Sequence, residues 1–329
     1  MLPDGDAGRV VLPGPEPDVA LPGRYALRGL VDGHCHLTLA RGDGFPYVDA
    51  AGTDARLEGL AADGVTLVRD VGGDRSITLR LAREPRRGAP RVLAAGRFLA
   101  PRHRYFGDLF VPVEGDDLVE AVRAEVRDGA TWVKLVADFP ELHGSTVTAP
   151  ASASYGVEVV AAAVEAAHAL GARVAAHTTT TAVSELVRAG VDSIEHGDEL
   201  TAADLERLGA RGGAWTPTLS SAFGTTSMAA EEQRALAAQM ATLLPVARQA
   251  GVTVLAGSDI TGTVAAEVAW LHRLGLTIEE ALDAAGPRAR RYLGAKDEGD
   301  LATYDDDPRT DPAVLARPVA VVVRGQRVR

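Results

Sequence analysis

A repeated unit limits what this chain can fold into. From about residue 29 to about residue 297, a short apolar run is followed by a longer, alanine-rich amphipathic stretch and then by the next apolar run. In five places a glycine directly follows the amphipathic stretch, where a left-handed residue often ends a helix. These glycines are Gly64, Gly129, Gly171, Gly190 and Gly251. The repeat therefore predicts the alternating strands and helices of an α/β protein.

The apolar runs are predicted to be strands buried on both faces, because most are bounded by Gly, Asp or Pro. The eight predicted strands are Gly29–Gly33, Val65–Asp70, Arg91–Ala95, Trp132–Ala137, Arg173–Ala176, Val191–Glu195, Ala214–Thr218 and Val252–Ser258. The predicted helices that end at the five glycines are Thr53–Asp63, Asp116–Asp128, Tyr155–Leu170, Thr180–Ala189 and Gln233–Ala250. Eight such units favour a (β/α)8 TIM barrel over residues 29–298. A doubly wound sheet is the alternative, but no glycine-rich phosphate motif follows the first strand.

The two ends of the chain have a different pattern. Residues 1–28 are rich in Pro and Gly and contain the β-like pieces RVVLP and RYALR, and residues 299–329 contain DLATYD and VAVVVRGQRVR. Short alternating runs of this kind are typical of antiparallel strands. We therefore predict that residues 1–28 and 299–329 pair into a small β-sandwich-like domain beside the barrel.

The composition excludes some classes of protein. The chain of 329 residues carries a net charge of −11, which argues against binding to a nucleic-acid backbone or an anionic membrane. Its single cysteine, Cys35, excludes an internal disulfide and favours a reducing compartment. The first ten residues lack the basic and apolar segments of a signal peptide, and no apolar run approaches the roughly 20 residues that span a bilayer. We expect a cytoplasmic protein that acts on a small molecule, and a homo-oligomer is compatible with this sequence.

Histidines and an aspartate stand where the predicted strands end. His34 and His36 follow the first strand two residues apart, so the period of a strand places both on one face and Cys35 on the other. Three further side chains of this kind each end a later strand: His177, His196 and Asp259. Each alone would be explained equally well as a packed histidine or a helix cap. Together they predict a metal site, because a barrel gathers its active site at the carboxyl ends of its strands.

A lysine inside a predicted strand adds to this site. Lys134 stands in TWVKLVA, and a buried lysine is costly unless it is paired or chemically changed. Of the 34 basic residues only two are lysines, Lys134 and Lys296, so arginine would be expected wherever a plain positive charge suffices. A neutral amine can add carbon dioxide and become a carbamate, whereas a guanidinium cannot. Lys134 is therefore a candidate ligand that bridges two metal ions, with a strand-end lysine or a core ion pair as the alternatives.

This pattern resembles the amidohydrolase superfamily, with two histidines on strand one, a lysine on strand four, a histidine on strands five and six, and an aspartate on strand eight. The segments GLVDGHCHL, DGVTLVRDVGG, AGVDSIEHGDEL and GDLATYDDDP are similar to the branch of imidazolonepropionase-like proteins and metal-dependent Xaa-Pro dipeptidases. The resemblance covers nearly the whole chain. It implies a binuclear site that usually holds zinc, although the donors also admit manganese, iron or cobalt.

The resemblance also implies a role for each residue. The implied ligands are His34, His36 and Asp259 for one ion, His177 and His196 for the other, and Lys134, carboxylated by carbon dioxide, as the bridge. A hydroxide between the ions would attack a polarised carbonyl, and Asp259 would take its proton and pass it to the leaving amine. The implied activity is hydrolysis of an amide or peptide C–N bond in a small molecule, such as a dipeptide or an N-acyl amino acid.

The loop after strand four differs from that of the branch, and the loop after strand three offers further candidate site residues. After the strand-four lysine the branch commonly has a glycine-rich turn, whereas this chain has ADFPELHG, so the loop that shapes the pocket is different. In the branch, the loop after strand three supplies a histidine that polarises the substrate, and His103 in APRHRYFGD is the candidate here. Arg104 and Tyr105 are candidates to bind a substrate carboxylate or ring. Arg69 and Asp70 are predicted to form an internal ion pair that supports the rim.

Other functions use similar barrels. A lactonase or phosphotriesterase could use the same metals on another electrophile and is the alternative enzyme. A mononuclear deaminase usually lacks the strand-four lysine and carries a Glu soon after the strand-five histidine, where this chain has four threonines. A non-catalytic scaffold would be expected to have lost ligands, and none is lost here.

Overall fold

The structure is a computed structural model that describes residues 20–42, 45–106, 109–224 and 228–329. Its central feature is a ring of parallel strands. In ring order these are β2 (Leu30–Cys35), β3 (Val65–Asp70), β4 (Arg91–Ala94) with its continuation β5 (Phe98–Leu99), β6 (Trp132–Val136), β9 (Arg173–Thr178), β10 (Ser193–His196), β11 (Ala214–Thr216) and β12 (Thr253–Val254). All eight predicted strands are present, which confirms the predicted (β/α)8 barrel.

Backbone hydrogen bonds close the ring between its first and last strands. Gly33 N donates to Ala256 O at 2.7 Å, and Asp259 N donates to His34 O at 2.7 Å. The third position of the ring is interrupted, because β4 pairs only with β3 and β5 pairs only with β6. Gly96, with φ +76°, lies in the bend between β4 and β5. The closed ring brings the ends of its first and eighth strands side by side.

Helices alternate with the strands. They are α1 (Ala50–Ala62), α2 (Arg75–Arg83), α3 (Leu118–Arg127), α4 (Val157–Ala169), α5 (Val183–Ala189), α6 (Ala202–Ala210), α7 (Leu219–Gly224), α8 (Ala230–Gln249), α9 (Val264–Arg273), α10 (Ile278–Ala284) and α11 (Pro287–Tyr292). All five glycines that were predicted to end helices have φ between +78° and +102°. Only glycine adopts that conformation without strain, so these glycines fix where the helices end. None of the helices in the described residues is both long and apolar enough to cross a membrane.

The inside of the barrel is built in two layers. The lower layer is apolar and includes Leu67, Trp132 and Ala175, all at most 1% exposed. Two residues further along the same strands come Arg69, Lys134 and His177. Side chains two apart on a strand share a face, so each strand places a polar group directly above an apolar one. The apolar layer fills the amino half of the barrel and leaves the carboxyl half for polar chemistry.

Strands from both ends of the chain form one antiparallel sheet. Its order is β1 (Tyr25–Arg28), β13 (Leu301–Tyr304), β14 (Ala320–Val323) and β15 (Gln326–Arg327). RYALR and DLATYD therefore pair as predicted, while RVVLP lies outside the described residues. The described residues place a single sheet here, and the division of the chain into two domains stays a prediction.

A hairpin follows the strand that carries Lys134. Its strands are β7 (Asp138–His143) and β8 (Thr146–Ala153), which pair antiparallel. The segment ADFPELHG, which departs from the dipeptidase-like branch, thus begins an ordered β-structure rather than a glycine-rich turn.

Candidate metal centre

Five barrel strands and the segments that follow them bring six polar side chains together. His34 Nε2 lies 3.3 Å from His36 Nε2, and Asp259 Oδ1 lies 3.4 Å from His36 Nε2 and 3.7 Å from His34 Nε2. The rings of His177 and His196 are 4.5 Å apart, and those of His34 and His196 are 5.2 Å apart. One ligand-type atom each from His34, His196 and Asp259 can be chosen so that all lie within 4.8 Å of one another.

Three of the histidines are oriented by hydrogen bonds at Nδ1. His34 Nδ1 lies 2.7 Å from Glu195 Oε2, and His36 Nδ1 donates to Gly72 O at 2.8 Å. His196 Nδ1 lies 2.8 Å from Thr218 Oγ1, and that hydroxyl donates its own proton to the Pro217 carbonyl. Thr218 Oγ1 therefore accepts from His196. In each ring Nδ1 carries the proton, so Nε2 keeps a free electron pair, as a metal ligand requires.

The charge states of these groups also suit a metal. Burial lowers the pKa of His34 to about 3 and that of His196 to about 4, so both imidazoles are neutral at neutral pH. Burial alone would raise the pKa of Asp259, but its contacts with the surrounding histidines, His36 first among them, hold it well below its ordinary value. Neutral imidazoles and an ionised carboxylate are the forms that bind divalent cations.

Lys134 lies among these groups. Its side chain is 1% exposed, and its Nζ has no hydrogen-bond partner among the described residues. Burial lowers the pKa of Lys134 to about 8, against the opposing charges of Glu195 and Asp259. An amine that readily becomes neutral and has no partner of its own fits a site for carboxylation. The donor set as a whole fits a divalent metal centre, while the role of each residue as a ligand stays a prediction.

Backbone conformation helps to aim the ligands. His196, Thr218 and Asp259 have φ values of +65°, +53° and +55°. This left-handed region is uncommon for residues other than glycine, and such strain often lies at functional sites. Successive strand residues point to opposite faces, yet Glu195 and His196 both face the barrel interior. The left-handed conformation at His196 accounts for that turn.

The predicted ion pair of Arg69 with Asp70 is wrong, because Arg69 pairs with Glu195 beneath the site. Arg69 Nη2 donates to Glu195 Oε1 at 2.8 Å. The side chains of Arg69, Asp70 and Glu195 are all fully buried. Asp70 instead accepts the backbone N–H groups of Leu37 and Gly72. Neighbouring residues on a strand face opposite ways, so Arg69 and Asp70 could not meet. Glu195 was missed, although an acidic residue inside the apolar segment VDSIEH was a signal.

A further buried carboxylate holds the threonine run after His177. Asp138 accepts the backbone N–H groups of Thr179 and Thr180 at 2.9 Å and 3.2 Å, and also the hydroxyls of Thr178, Thr179 and Thr180. It is the first residue of β7, two residues after the end of the strand that carries Lys134. The sequence HTTTT therefore serves to bind Asp138 and fix the loop beside His177.

The predicted substrate residues lie in different surroundings. His103 is exposed, and its ring stacks on that of His143 with centroids 4.3 Å apart, so the structure does not bring it into the cluster of six. Arg104 Nη1 donates to Phe139 O and Ser152 Oγ of the hairpin. Tyr105 is buried, with its ring 6.4 Å from that of His177. Of the three, Tyr105 is the one placed beside a predicted ligand.

A cavity of about 200 Å³ opens on the cluster. Three predicted ligands line it: His177, His196 and Asp259. Its remaining walls come from Thr179 after β9, from the loop after β10, from the segment 217–222, from Met228 and from α8. A small substrate in this cavity would contact the cluster directly.

Fold and site together define a (β/α)8 barrel with a histidine-rich centre suited to divalent cations. Residues 25–328 match the amidohydrolase family, and the chain belongs to it. An uncharacterized protein of Mycobacterium tuberculosis (strain ATCC 25618 / H37Rv) is 37% identical over an alignment of 330 positions, gaps included, and the alignment covers 94% of this chain and 86% of that protein.

Two solved structures are similar along nearly the whole chain. A prolidase complexed with N-methylphosphonate-L-proline has a TM-score of 0.75 and 25% identity, covering 94% of this chain and 90% of that one. A Xaa-Pro dipeptidase with bound methionine in the active site has a TM-score of 0.76 and 23% identity, covering 92% and 86%. The family match confirms the predicted amidohydrolase superfamily, and the similarity to the prolidase supports the predicted prolidase-like branch.

Proposed function

We propose that this chain is a binuclear metal-dependent hydrolase that cleaves an amide or peptide C–N bond in a small molecule, such as a dipeptide or an N-acyl amino acid. The observation that carries the proposal is the buried Lys134 amine without a hydrogen-bond partner among the described residues, beside the clustered histidines and Asp259. Family membership and the similarity to a prolidase and a Xaa-Pro dipeptidase support it.

The residues divide into two sets of ligands. His34, His36 and Asp259 would hold one ion, and His177 and His196 the other. Lys134 would join the two after its neutral amine attacks carbon dioxide, forming an N–C bond and releasing one proton to solvent. Zinc is the first candidate among the divalent ions that accept imidazole and carboxylate donors. When bound, the ions would polarise the substrate carbonyl and lower the pKa of water.

Asp259 is placed to move a proton. Its carboxylate is ionised at neutral pH and lines the cavity, so it can accept a proton and return it to the leaving nitrogen. A Ser or Cys nucleophile is not needed. Cys35, the single cysteine, is buried, and its thiol donates to Arg69 O at 3.7 Å. We therefore assign it no catalytic role.

A substrate screen tests the proposal. Purified protein of measured metal content is offered dipeptides, N-acyl amino acids, lactones and organophosphates, and we expect turnover in the first two groups. Turnover confined to lactones or organophosphates would favour the alternative enzyme. No turnover in any group, with the metals in place, would favour a non-catalytic barrel.

A further inference from the structure

The cavity beside the metal centre is lined by apolar residues, by the hydroxyl residues Thr179, Thr218 and Ser221, and by one acidic residue outside the set of predicted ligands. Six of its lining residues are apolar: Pro217, Leu219, Ala222, Met228, Leu236 and Met240. Apart from the predicted ligands, Asp198 is its one charged lining residue, and neither Lys nor Arg is among the lining residues that the structure describes. The cavity therefore offers apolar contact and a negative charge, but no basic side chain for a substrate carboxylate.

A tight turn fixes the position of Asp198. Gly197, which follows His196, has φ +72°, and its N–H donates to Thr178 O at 2.9 Å. A Cβ at Gly197 would lie 2.7 Å from Leu200 Cδ1 and 2.9 Å from Trp215 Nε1, so a larger residue does not fit without a shift. The Asp198 carbonyl also accepts a hydrogen bond from the Gln239 side chain of α8. The turn and the helix thus hold Asp198 at the cavity wall.

The Asp198 carboxylate has no donor of its own in the described part of the chain. This contrasts with Asp138, whose oxygens accept hydrogen bonds from three consecutive threonines. Asp198 is partly exposed, and a carboxylate beside apolar side chains gains from a partner that carries hydrogen-bond donors. A ligand in the cavity is in position to supply that partner.

We propose that the cavity accepts a substrate side group with an aliphatic stem and a cationic head, such as an alkylammonium or alkylguanidinium. The stem packs against Leu219, Leu236 and Met240, and the head donates to Asp198. An acidic side group is excluded there, because its carboxylate would face Asp198 without a compensating basic side chain. This inference rests on the proposed amide hydrolysis and narrows its substrates to basic amides.

Matched dipeptides test the inference. Alanine is joined, in both orders, to lysine, norleucine or 2-aminoadipate, which have similar stems and end in a cation, a methyl group or a carboxylate. We expect kcat/KM for the lysine peptide, in at least one order, to exceed that for norleucine by about tenfold or more, because a hydrogen bond to a charged group is worth that much. The 2-aminoadipate peptide should be the poorest. Equal or better turnover of norleucine would overturn the inference.

A pair of variants locates the effect. Asp198→Asn should reduce the lysine-to-norleucine ratio to within about twofold of one, since its amide keeps the shape and loses the charge. Glu199→Gln removes a charge one residue further on, where the side chain is exposed, and should keep the wild-type ratio. A ratio that survives in Asp198→Asn, or that falls equally in both variants, would contradict the role of Asp198.

A binding measurement separates this inference from the proposed function. Nα-acetyl-lysine methylamide, which keeps its ε-ammonium group, and Nα-acetyl-norleucine methylamide are titrated calorimetrically into the metal-loaded protein. The lysine compound should bind at least about tenfold more tightly than the norleucine compound, and this difference should disappear in Asp198→Asn. If no dipeptide is hydrolysed but this difference appears, amide hydrolysis fails and the cavity assignment stands. Equal binding overturns the assignment whatever the turnover.

Discussion

Glu195 Oε2 lies 2.7 Å from His34 Nδ1, and neither side chain is exposed to solvent. The other carboxylate oxygen of Glu195 accepts from Arg69. Burial alone would raise the pKa of Glu195, but the charge of Arg69 and the hydrogen bond from His34 hold it well below its ordinary value. An ionised Glu195 therefore fixes both the tautomer and the orientation of a predicted metal ligand.

Glu195→Gln should weaken metal binding. The amide can still accept from His34, but it loses the charge that favours the Nδ1–H tautomer and balances Arg69. Removing such a partner of a metal ligand typically costs about 10–100-fold in affinity. We expect a dissociation constant for Zn²⁺ raised by that factor in competition with a chelating dye, and Glu199→Gln as an exposed control should leave it unchanged. An unaltered affinity in Glu195→Gln would remove Glu195 from this role.

Lys134 should be essential as an amine. Lys134→Ala should lower kcat/KM by about two orders of magnitude or more, beyond the loss expected from a residue that only supports a ligand. A short-chain carboxylate added to Lys134→Ala should restore much of the activity by replacing the carbamate. Lys134→Arg keeps a positive charge and should not support activity. Full activity in Lys134→Arg would show that charge alone is needed.

Metal content should match the two sets of ligands. Elemental analysis of protein purified with bicarbonate should find about two divalent ions per chain. Removing them with a chelator should abolish activity and lower the melting temperature, because a ligand that binds only the folded state stabilises it. Returning Zn²⁺ should restore both. Purified, bicarbonate-supplemented protein that contains no metal would contradict the binuclear site.

Glu267 should make stability depend on pH. Its side chain is buried and accepts the backbone N–H groups of Leu219 and Ser220. Burial raises its pKa from an ordinary 4.5 to about 8, in spite of those hydrogen bonds. Between these values the folded state retains a proton that the unfolded state releases, so the stability contributed by this group falls as the pH rises through that window.

The measurement compares wild type with Glu267→Gln in urea unfolding. From pH 5 to pH 8.5 the free energy of unfolding of wild type should fall by about 1 kcal/mol or more relative to the variant, since one pKa unit corresponds to about 1.4 kcal/mol. Glu279→Gln, at an exposed position, should show no such trend against wild type. A constant difference between wild type and Glu267→Gln would contradict the raised pKa.

The barrel and the six clustered residues could be predicted because their signals are local. A strand, a helix and the glycine between them are short-range patterns, and a parallel barrel places all of its strand ends at one rim. Thus Lys134 and His177, which lie on adjacent strands, could be placed together without any knowledge of their contacts. The boundaries were less exact, since the last barrel strand spans only Thr253–Val254 rather than Val252–Ser258.

The partners of the charged residues could not be predicted in this way. Arg69 and Glu195 are 126 residues apart, and the sequence carries no record of which buried charges meet across the barrel. The position of His103 was also beyond reach, because a loop sequence does not determine the direction of a ring that stacks on His143. Local patterns identify which residues gather at the rim, whereas tertiary contacts decide how they are oriented.

The backbone hydrogen bond from Asp259 to His34 bears on when the chain can bind metal during its synthesis. It joins the first and last strands of the barrel, and both residues are also predicted metal ligands. During synthesis His34 emerges before its partner Asp259, which emerges only when nearly the whole barrel has been made. A nascent chain therefore cannot bind its metal ions in the native way, so loading should be a late event. Proteins truncated before Asp259 should accordingly remain metal-free.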